Sequence, residues 1–306
     1  MTKELAVFGL GKMGAQIGRR LAKKGWTVRA WNRSPEPVAE YRAAGGDAST
    51  DLAEVVGGAR GTPRVFWIML PHSALDDFLF GSFAFAEHLR AGDIVIDGGN
   101  SFYKDSMRRG AELAKKGVAF YDCGTSGGVW GETDGFALMV GGPEKEWDAV
   151  EPVFRDLSSG ENYGLVGPSG AGHFTKMVHN GIEYGMMEAI AEGYAVLAAS
   201  PFKPDLAKVT RIYQEGSVVR SWLIDLCRNI FEKEDIAGTS GVIGATGEGE
   251  WTVNAAKELG VDARVIADAL AVRRESSDPQ NADKFSNKIV ALMRKQFGGH
   301  GTVKKM

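Results

Sequence analysis

The chain has little cysteine and no long uncharged apolar run, and both absences narrow what it can be. Its 306 residues include two cysteines, Cys123 and Cys227, which are far apart and lack metal-ligand spacing. Reduced thiols in a cytosolic protein are the simplest interpretation. No uncharged stretch approaches the roughly eighteen apolar residues that a membrane-spanning helix needs. The first residues follow a strand pattern and not a secretion signal. We therefore expect a cytoplasmic protein with neither a membrane partner nor a metal site.

An excess of charge is also lacking. With 36 basic and 39 acidic residues, the formal net charge is −3, which gives no global electrostatic case for nucleic acid as a partner. An acidic small molecule would therefore have to be held by local basic residues. Glycine, in contrast, is abundant, with 41 residues that often lie in clusters. Clustered glycine is typical of tight turns and of backbone that approaches a ligand closely.

The two parts of the chain follow different patterns. Strands are predicted over residues 5–8, 27–31, 65–70, 94–97, 118–122 and 136–140. Apolar runs separated by helical stretches predict a parallel sheet that is covered on both faces. After a Gly- and Pro-rich break at residues 167–172, helical periods dominate, beginning with a helix over about residues 173–199. We predict an α/β Rossmann-type doubly wound sheet in residues 1–167, followed by an all-α C-terminal domain in residues 168–306.

A Gly-x-Gly-x-x-Gly motif connects the first predicted strand to the first helix. In this context the glycines permit a tight turn and let a pyrophosphate approach the N-terminus of the helix. The alternative is a Gly-rich turn without a ligand. The motif predicts a dinucleotide site, and its cofactor-binding residues are Gly9, Leu10, Gly11, Lys12, Met13 and Gly14.

The end of the second predicted strand indicates which dinucleotide binds. NAD-binding proteins usually place an acid there for the ribose 2′-hydroxyl, but this segment has none. Arg33 offers a planar guanidinium that suits a 2′-phosphate, and Asn32 and Ser34 could add hydrogen bonds. The residues therefore favour NADP. The alternative is that Arg33 is a solvated surface side chain and that the protein uses NAD or both cofactors.

A stripe of four polar residues lies on the long predicted helix. Lys176, His179, Asn180 and Glu183 occupy positions i, i+3, i+4 and i+7, which share one face. A stripe that served only packing would be apolar, and His and Asn are mediocre helix formers. The alternative is that Lys176 and Glu183 form only a surface ion pair at i,i+7, but ion pairs on helices usually form at i,i+4. The stripe therefore predicts an acid–base site.

With these motifs the chain resembles the decarboxylating 6-phosphogluconate dehydrogenases in their short form and, more distantly, the 3-hydroxyisobutyrate dehydrogenase superfamily. The resemblance rests on GLGKMG at residues 9–14, DGGNS at 97–101, SGG at 126–128, GAGHFTKMVHNGIEY at 170–184 and FGGH at 297–300. It implies oxidation of 6-phospho-D-gluconate at C3 and then loss of C1 as CO2, which gives ribulose 5-phosphate.

The resemblance also implies roles for particular residues. Lys176 would take the C3 hydroxyl proton and return it to the C3 oxygen, and Glu183 would protonate the enediol. The substrate-binding residues would be Asn100, Ser126, Gly127, Gly128, His179, Asn180, Tyr184, Arg273 and His300, the last from this chain or from a partner subunit. Met69, Leu70 and Asn100 would contact the cofactor. A homodimer or homotetramer is implied, and the apolar-rich segment 182–197 could lie between subunits.

One segment departs from the family pattern. Long members bind the substrate phosphate through a lysine in a Gly-rich loop, whereas residues 244–250 contain no lysine and two acids, Glu248 and Glu250. Tyr184 and either Arg273 or Arg274 are alternative anchors, and the spacing from the following tryptophan favours Arg273. Another β-hydroxyacid dehydrogenase, acting on an unphosphorylated sugar acid or on 3-hydroxyisobutyrate, therefore stays an alternative. A third candidate function is a non-catalytic dinucleotide-binding module. Such a module would not need Lys176, which this sequence retains together with the Gly-rich loop at residues 9–14.

Overall fold

The structure, a computed structural model, describes residues 3–244 and 247–299. By its contacts the chain divides into two compact units, Met1–Lys176 and Met177–Met306. The first unit is built on one sheet, and the second consists of helices.

The first unit is an eight-stranded sheet in the order β3-β2-β1-β4-β5-β6-β7-β8. Its strands are β1 Glu4–Phe8, β2 Thr27–Trp31, β3 Asp47–Ser49, β4 Val65–Ile68, β5 Ile94–Asp97, β6 Ala119–Ser126, β7 Phe136–Gly141 and β8 Ser158–Gly167. The first six strands are parallel and follow the order of the Rossmann fold. This confirms the predicted doubly wound sheet.

Helices cover this sheet on both faces. They are α1 Lys12–Lys23, α2 Pro35–Ala43, α3 Leu52–Gly58, α4 His72–Phe80, α5 Tyr103–Ala114, α6 Gly131–Asp134 and α7 Trp147–Leu157. Successive strand residues enter separate apolar clusters, since Val7 packs in the cluster of Ile17 whereas Phe8 packs in that of Phe78. Two buried faces explain why the central strands are continuously apolar.

The prediction of a parallel sheet was wrong for β7, and the sequence pattern did not predict β3 or β8. β7 runs antiparallel to β6, and β8 is parallel to β7, so both oppose the first six strands. The connection between β6 and β7 is only residues 127–135. A parallel crossover needs about a dozen residues or more, so a connection this short returns the chain antiparallel.

The second unit confirms the predicted helical C-terminal domain. The long helix α8, Ala171–Ala199, begins in the first unit and continues into the second. It is followed by α9 Leu206–Gln214, α10 Trp222–Lys233, α11 Glu248–Glu258, α12 Arg264–Glu275 and α13 Phe285–Gly298. Met187, Ile230 and Leu292 are among the buried residues of one apolar core in this unit. Across residues 3–244 and 247–299, every helix is too short or too polar to cross a bilayer.

Candidate active site

The glycine motif forms a close turn between β1 and α1. Gly9 has φ +101°, and a side chain there would lie 2.5 Å from the Met69 carbonyl oxygen. A side chain at Gly14 would overlap the Gly9 carbonyl group. At Gly11, in contrast, the position of a Cβ has nothing within 4 Å. The loop is therefore closed on the protein side and open in front of the α1 N-terminus, which fits the pyrophosphate of a dinucleotide.

The other predicted cofactor residues lie near this turn, at the carboxyl ends of strands. The backbone N–H of Met69 donates to Phe8 O at 2.7 Å, which holds the end of β4 beside β1. Asn32 Oδ1 accepts from the Leu10 N–H at 3.0 Å, and Arg33 follows it as an exposed side chain. Leu70 follows β4, and Asn100 follows β5 with an exposed side chain. Ser34 and Lys12 are exposed, whereas Met13 is half-buried. Open α/β sheets bind ligands at this edge.

A buried aspartate caps the N-terminus of α8. Asp122 Oδ1 accepts from the Gly170 N–H at 2.5 Å, and Oδ2 accepts from the His173 N–H at 2.7 Å. The His173 ring is itself buried, with Nδ1 2.7 Å from Ser106 Oγ. Burial raises the pKa of Asp122, while attraction to His173 and the two backbone hydrogen bonds oppose this shift. The two carboxylate oxygens of Asp122 on β6 thus determine where α8 begins.

Glycines let the first turns of α8 lie directly on the sheet. A side chain at Gly172 would overlap the Asp122 carbonyl oxygen, and one at Gly124 would overlap Lys176 Cβ and come within 2.9 Å of its Cγ. The stem of Lys176 therefore packs against the backbone of β6. Because residues i and i+2 of a strand share a face, Ser126 lies on the face of β6 that Lys176 covers. The half-buried Gly127 and Gly128 follow with φ +142° and +57°.

The four residues of the polar stripe all lie on α8 and are half-buried. His179 Nδ1 is 3.0 Å from Asn180 Oδ1 and 3.9 Å from Glu183 Oε2. The imidazole thus contacts both the amide and the carboxylate, which limits how these side chains can turn. An amine, an imidazole and a carboxylate on one helix can accept and donate protons over about two turns. Their individual roles stay predictions.

Two buried arginines of the second unit interact with Tyr184. The guanidinium carbon of Arg273 lies 3.3 Å from the centre of this ring, and only 3% of the residue is exposed. Among the residues that the structure describes, Arg273 Nη1 has no hydrogen-bond partner. Arg294 is also buried and interacts electrostatically with Tyr184, Glu183 and Glu248. Burial lowers the pKa of both arginines, but a guanidinium keeps its charge in proteins.

The start of α11, which belongs to the segment without a lysine, lies against the same tyrosine. A side chain at Gly249 would overlap the Tyr184 ring, and Thr252 Oγ1 donates to Met177 O at 2.6 Å, so α11 packs on α8. Glu248 is buried at the start of α11. The two acids therefore lie in different environments, because Glu250, unlike Glu248, is exposed and forms an ion pair with Arg274 at 3.1 Å.

Sequence reasoning missed two residues of this region. Arg294 could have been found from its place just before the FGGH motif, which the resemblance had marked. Glu188, buried on α8 near Arg273, has no local signal that distinguishes it from a solvated glutamate. His300, the last predicted substrate-binding residue, lies outside the described residues.

The fold and the glycine turn define the class of this protein as a dinucleotide-binding protein of the Rossmann type. Residues 4–167 match the family profile described as the NAD binding domain of 6-phosphogluconate dehydrogenase. Residues 172–304 match the profile of the 6-phosphogluconate dehydrogenase C-terminal domain. The chain belongs to the 6-phosphogluconate dehydrogenase family.

Full-length relatives support this membership. The chain is 41% identical over 303 residues to the Bacillus subtilis protein YqeC, whose name assigns 6-phosphogluconate dehydrogenase activity only provisionally, and the match covers 99% of the chain and 100% of the relative. It is 37% identical to the NAD(+)-dependent, decarboxylating 6-phosphogluconate dehydrogenase of Haloferax volcanii, with 99% of both proteins covered.

A solved structure extends the comparison to the long form of the family. The Plasmodium falciparum 6-phosphogluconate dehydrogenase, described with its cofactor NADP+ and with its substrate 6-phosphogluconate, superposes with a TM-score of 0.83 at 29% identity. The match covers 89% of this chain but only 62% of that protein. The chain therefore spans less than two thirds of this longer relative.

Proposed function

We propose that the protein catalyses the oxidative decarboxylation of 6-phospho-D-gluconate to D-ribulose 5-phosphate and CO2, with NADP as the preferred cofactor. The arrangement of α8 carries this proposal. Lys176 packs against β6 at Gly124, and Glu183 lies on the same helix next to His179. A simple alcohol dehydrogenase would need one proton acceptor, whereas oxidation with decarboxylation also needs a proton donor to carbon.

The two residues divide the proton transfers of the proposed reaction. A bound nicotinamide would supply the oxidation by accepting hydride from C3. Lys176 Nζ, neutral at the start, takes the proton of the C3 hydroxyl and returns it to the C3 oxygen as the C1–C2 bond breaks and CO2 leaves. The bonding electrons remain at C2 of the enediol. The Glu183 carboxyl delivers a proton to that carbon, and the neutral Lys176 amine takes the proton of the C3 hydroxyl, so that the ketone of ribulose 5-phosphate forms.

The remaining predicted residues would bind the substrate. Tyr184 and Arg273 are proposed to hold the phosphate, and Arg294 is a second buried cation that interacts electrostatically with Tyr184. Arg274 is a weaker choice because it is exposed and paired with Glu250. His179, Asn180, Asn100, Ser126, Gly127 and Gly128 would contact the sugar-acid hydroxyl and carboxylate groups, and His300 keeps the place that the resemblance gave it.

The cofactor preference gives a first testable prediction. Arg33→Ala should raise the KM for NADP by about tenfold or more, because a charge-assisted contact to the 2′-phosphate is worth about 1.5–3 kcal/mol. The KM for NAD should change by less than about twofold, since NAD has no 2′-phosphate. Steady-state kinetics with both cofactors would measure this, and the exposed Arg60→Ala is a matched control. Equal effects on both cofactors would remove the proposed role of Arg33.

The apolar face of α8 supports the proposed homodimer or homotetramer. Ile182, Met186 and Val196 are 53%, 40% and 71% exposed, and their spacing puts them on one side of the helix with Ala189 and Gly193. Such a stripe is typical of a helix that packs against another subunit. Light scattering should give at least twice the chain mass of 32.9 kDa. Val196→Glu should shift the assembly towards monomer, and a monomeric wild-type protein would contradict the proposal.

One assay tests the proposed function directly. The purified protein is given NADP or NAD with 6-phosphogluconate, gluconate or 3-hydroxyisobutyrate, and both reduced cofactor and CO2 are measured. We expect equal amounts of both products from 6-phosphogluconate. The second candidate, oxidation of an unphosphorylated acid, is favoured by Glu248, a buried carboxylate near Arg294 that would repel a phosphate. Turnover of gluconate without CO2 would support that candidate.

A further inference from the structure

Helix α8 carries a buried carboxyl group that the proposed reaction does not use. Glu188 is 7% exposed, and its Oε1 has no hydrogen-bond partner among the described residues. It lies one turn after Tyr184, at i+4, on the same side of the helix. A buried carboxylate oxygen without a hydrogen-bond partner is costly, so the group must either be neutral or face a positive charge.

The charged groups around Glu188 come from two helices. Arg273 on α12 attracts the carboxylate, and Glu192 on α8 itself repels it. Burial raises the pKa of Glu188 to about 7, Glu192 adds to the shift, and Arg273 opposes it. The carboxyl is therefore largely neutral below about pH 7 and largely charged above it.

Arg273 carries a buried N–H group that complements the carboxyl group of Glu188. Its Nη1 is buried and lacks a hydrogen-bond partner among the described residues, while the guanidinium is held on the Tyr184 ring. Of the charged groups that act on Arg273, Glu183 and Glu188 favour its charge, whereas Arg294 opposes it. An N–H in this state is able to donate to an added anion.

We propose that Glu188 is the ionisable counter-charge of Arg273 and sets the pH range in which that arginine binds an anionic group of the substrate. The inference rests on the proposed function, which assigns Arg273 to the substrate phosphate. A neutral Glu188 leaves the positive charge of Arg273 to the phosphate. A charged Glu188 attracts the guanidinium and repels the phosphate. Glu188 therefore tunes specificity without touching the reacting atoms.

The kinetic test compares the wild type with Glu188→Gln from about pH 6 to about pH 8.5. Gln has the same size and stays neutral, so the ratio of the wild-type KM for 6-phosphogluconate to that of the variant should rise by about tenfold across this range. The second ionisation of the phosphate, with a pKa of about 6, affects both proteins alike and cancels in the ratio. The kcat values should agree within about twofold, because the transition state gains nothing specific from Glu188.

Two further variants make the comparison sharper. Glu192→Gln removes the like charge, so it should lower the pKa of Glu188 and move the rise in KM to lower pH. Glu215→Gln, an exposed residue of another segment, should keep the wild-type profile. A purely structural role of Glu188 would change KM equally at every pH.

Binding of sulfate gives a readout that does not depend on turnover. Sulfate is a dianion throughout this range, so a change in its affinity reports the protein alone. Calorimetry should show about tenfold weaker sulfate binding at about pH 8.5 than at about pH 6 in the wild type, and little change in Glu188→Gln. Carbon-13 NMR of the side-chain carboxyls should show one glutamate that titrates near neutral pH in the wild type and is missing in the variant.

The outcomes distinguish a failure of the proposed role of Glu188 from a failure of the proposed function. Parallel KM and sulfate profiles for wild type and Glu188→Gln, or the lack of a glutamate that titrates near neutral pH, would overturn the inference. If 6-phosphogluconate is not turned over but sulfate binding follows the expected profiles, the proposed function falls and the pairing of Glu188 with Arg273 stands. If the variant does not fold, the wild-type titration and the displacement in Glu192→Gln still decide.

Discussion

Replacement of Lys176 by methionine should reduce kcat by about 10³- to 10⁴-fold, because the amine is proposed to serve first as base and then as acid. Methionine keeps an unbranched stem against Gly124 and removes only the amine, so the start of α8 should not move. The KM values for substrate and cofactor should change by less than about threefold, since the loss affects mainly the transition state. Initial rates of cofactor reduction at saturating substrate measure this directly.

A surface lysine provides the control for this experiment. Lys115, exposed at the end of α5, pairs with Glu112, and Lys115→Met should retain wild-type turnover. Thermal unfolding of both variants should match the wild type within a few degrees, because neither change opens a cavity. If Lys176→Met kept more than about a tenth of the wild-type kcat, Lys176 would not be the base.

The sequence was sufficient for the start of the Rossmann half, because the signals there are local. An apolar run before Gly9-x-Gly11-x-x-Gly14 specifies a strand, a turn and a helix within twenty residues, and the structure has β1 and α1 there. The strand β8, Ser158–Gly167, has no such signal, since it is mostly polar and exposed. Its extended form depends on pairing with β7, where Leu138 lies opposite Tyr163.

The polar stripe could likewise be read from spacing alone. A helix determines which residues share a face, so the sequence alone predicts that Lys176, His179 and Glu183 lie on one side of α8. What spacing cannot give is burial. Glu188, five residues after Glu183, lies off this stripe, and only packing in the second unit decides that it is buried near Arg273.

The cap of α8 is a second feature that the sequence alone does not predict. Asp122 ends the strand predicted over residues 118–122, but its partners are backbone N–H groups at Gly170 and His173, 48 and 51 residues later. No local pattern connects these positions. The position of the proposed base, Lys176, one turn after that cap, is therefore a property of the folded sheet and helix together.

Glu183→Gln should lower kcat by about 10²- to 10⁴-fold, because the variant has no carboxyl proton for C2 of the enediol. Gln keeps the size of the side chain and can still contact His179, so the KM for 6-phosphogluconate should change by less than about threefold. Proton transfer to carbon should then limit turnover and produce a larger solvent deuterium isotope effect on kcat than in the wild type. Glu275→Gln, an exposed change on α12, should leave both quantities unaltered.

This variant also separates the two candidate functions. A β-hydroxyacid dehydrogenase that releases no CO2 forms no enediol, so removal of the Glu183 carboxyl proton should leave its kcat nearly unchanged. Under the decarboxylating mechanism, proton exchange at C1 of ribulose 5-phosphate should also be lost in Glu183→Gln when it is followed by NMR in D2O. Retained exchange together with unchanged turnover would assign the carbon-directed proton to another group. The half-buried carboxylate beside His179 would then be a substrate contact alone.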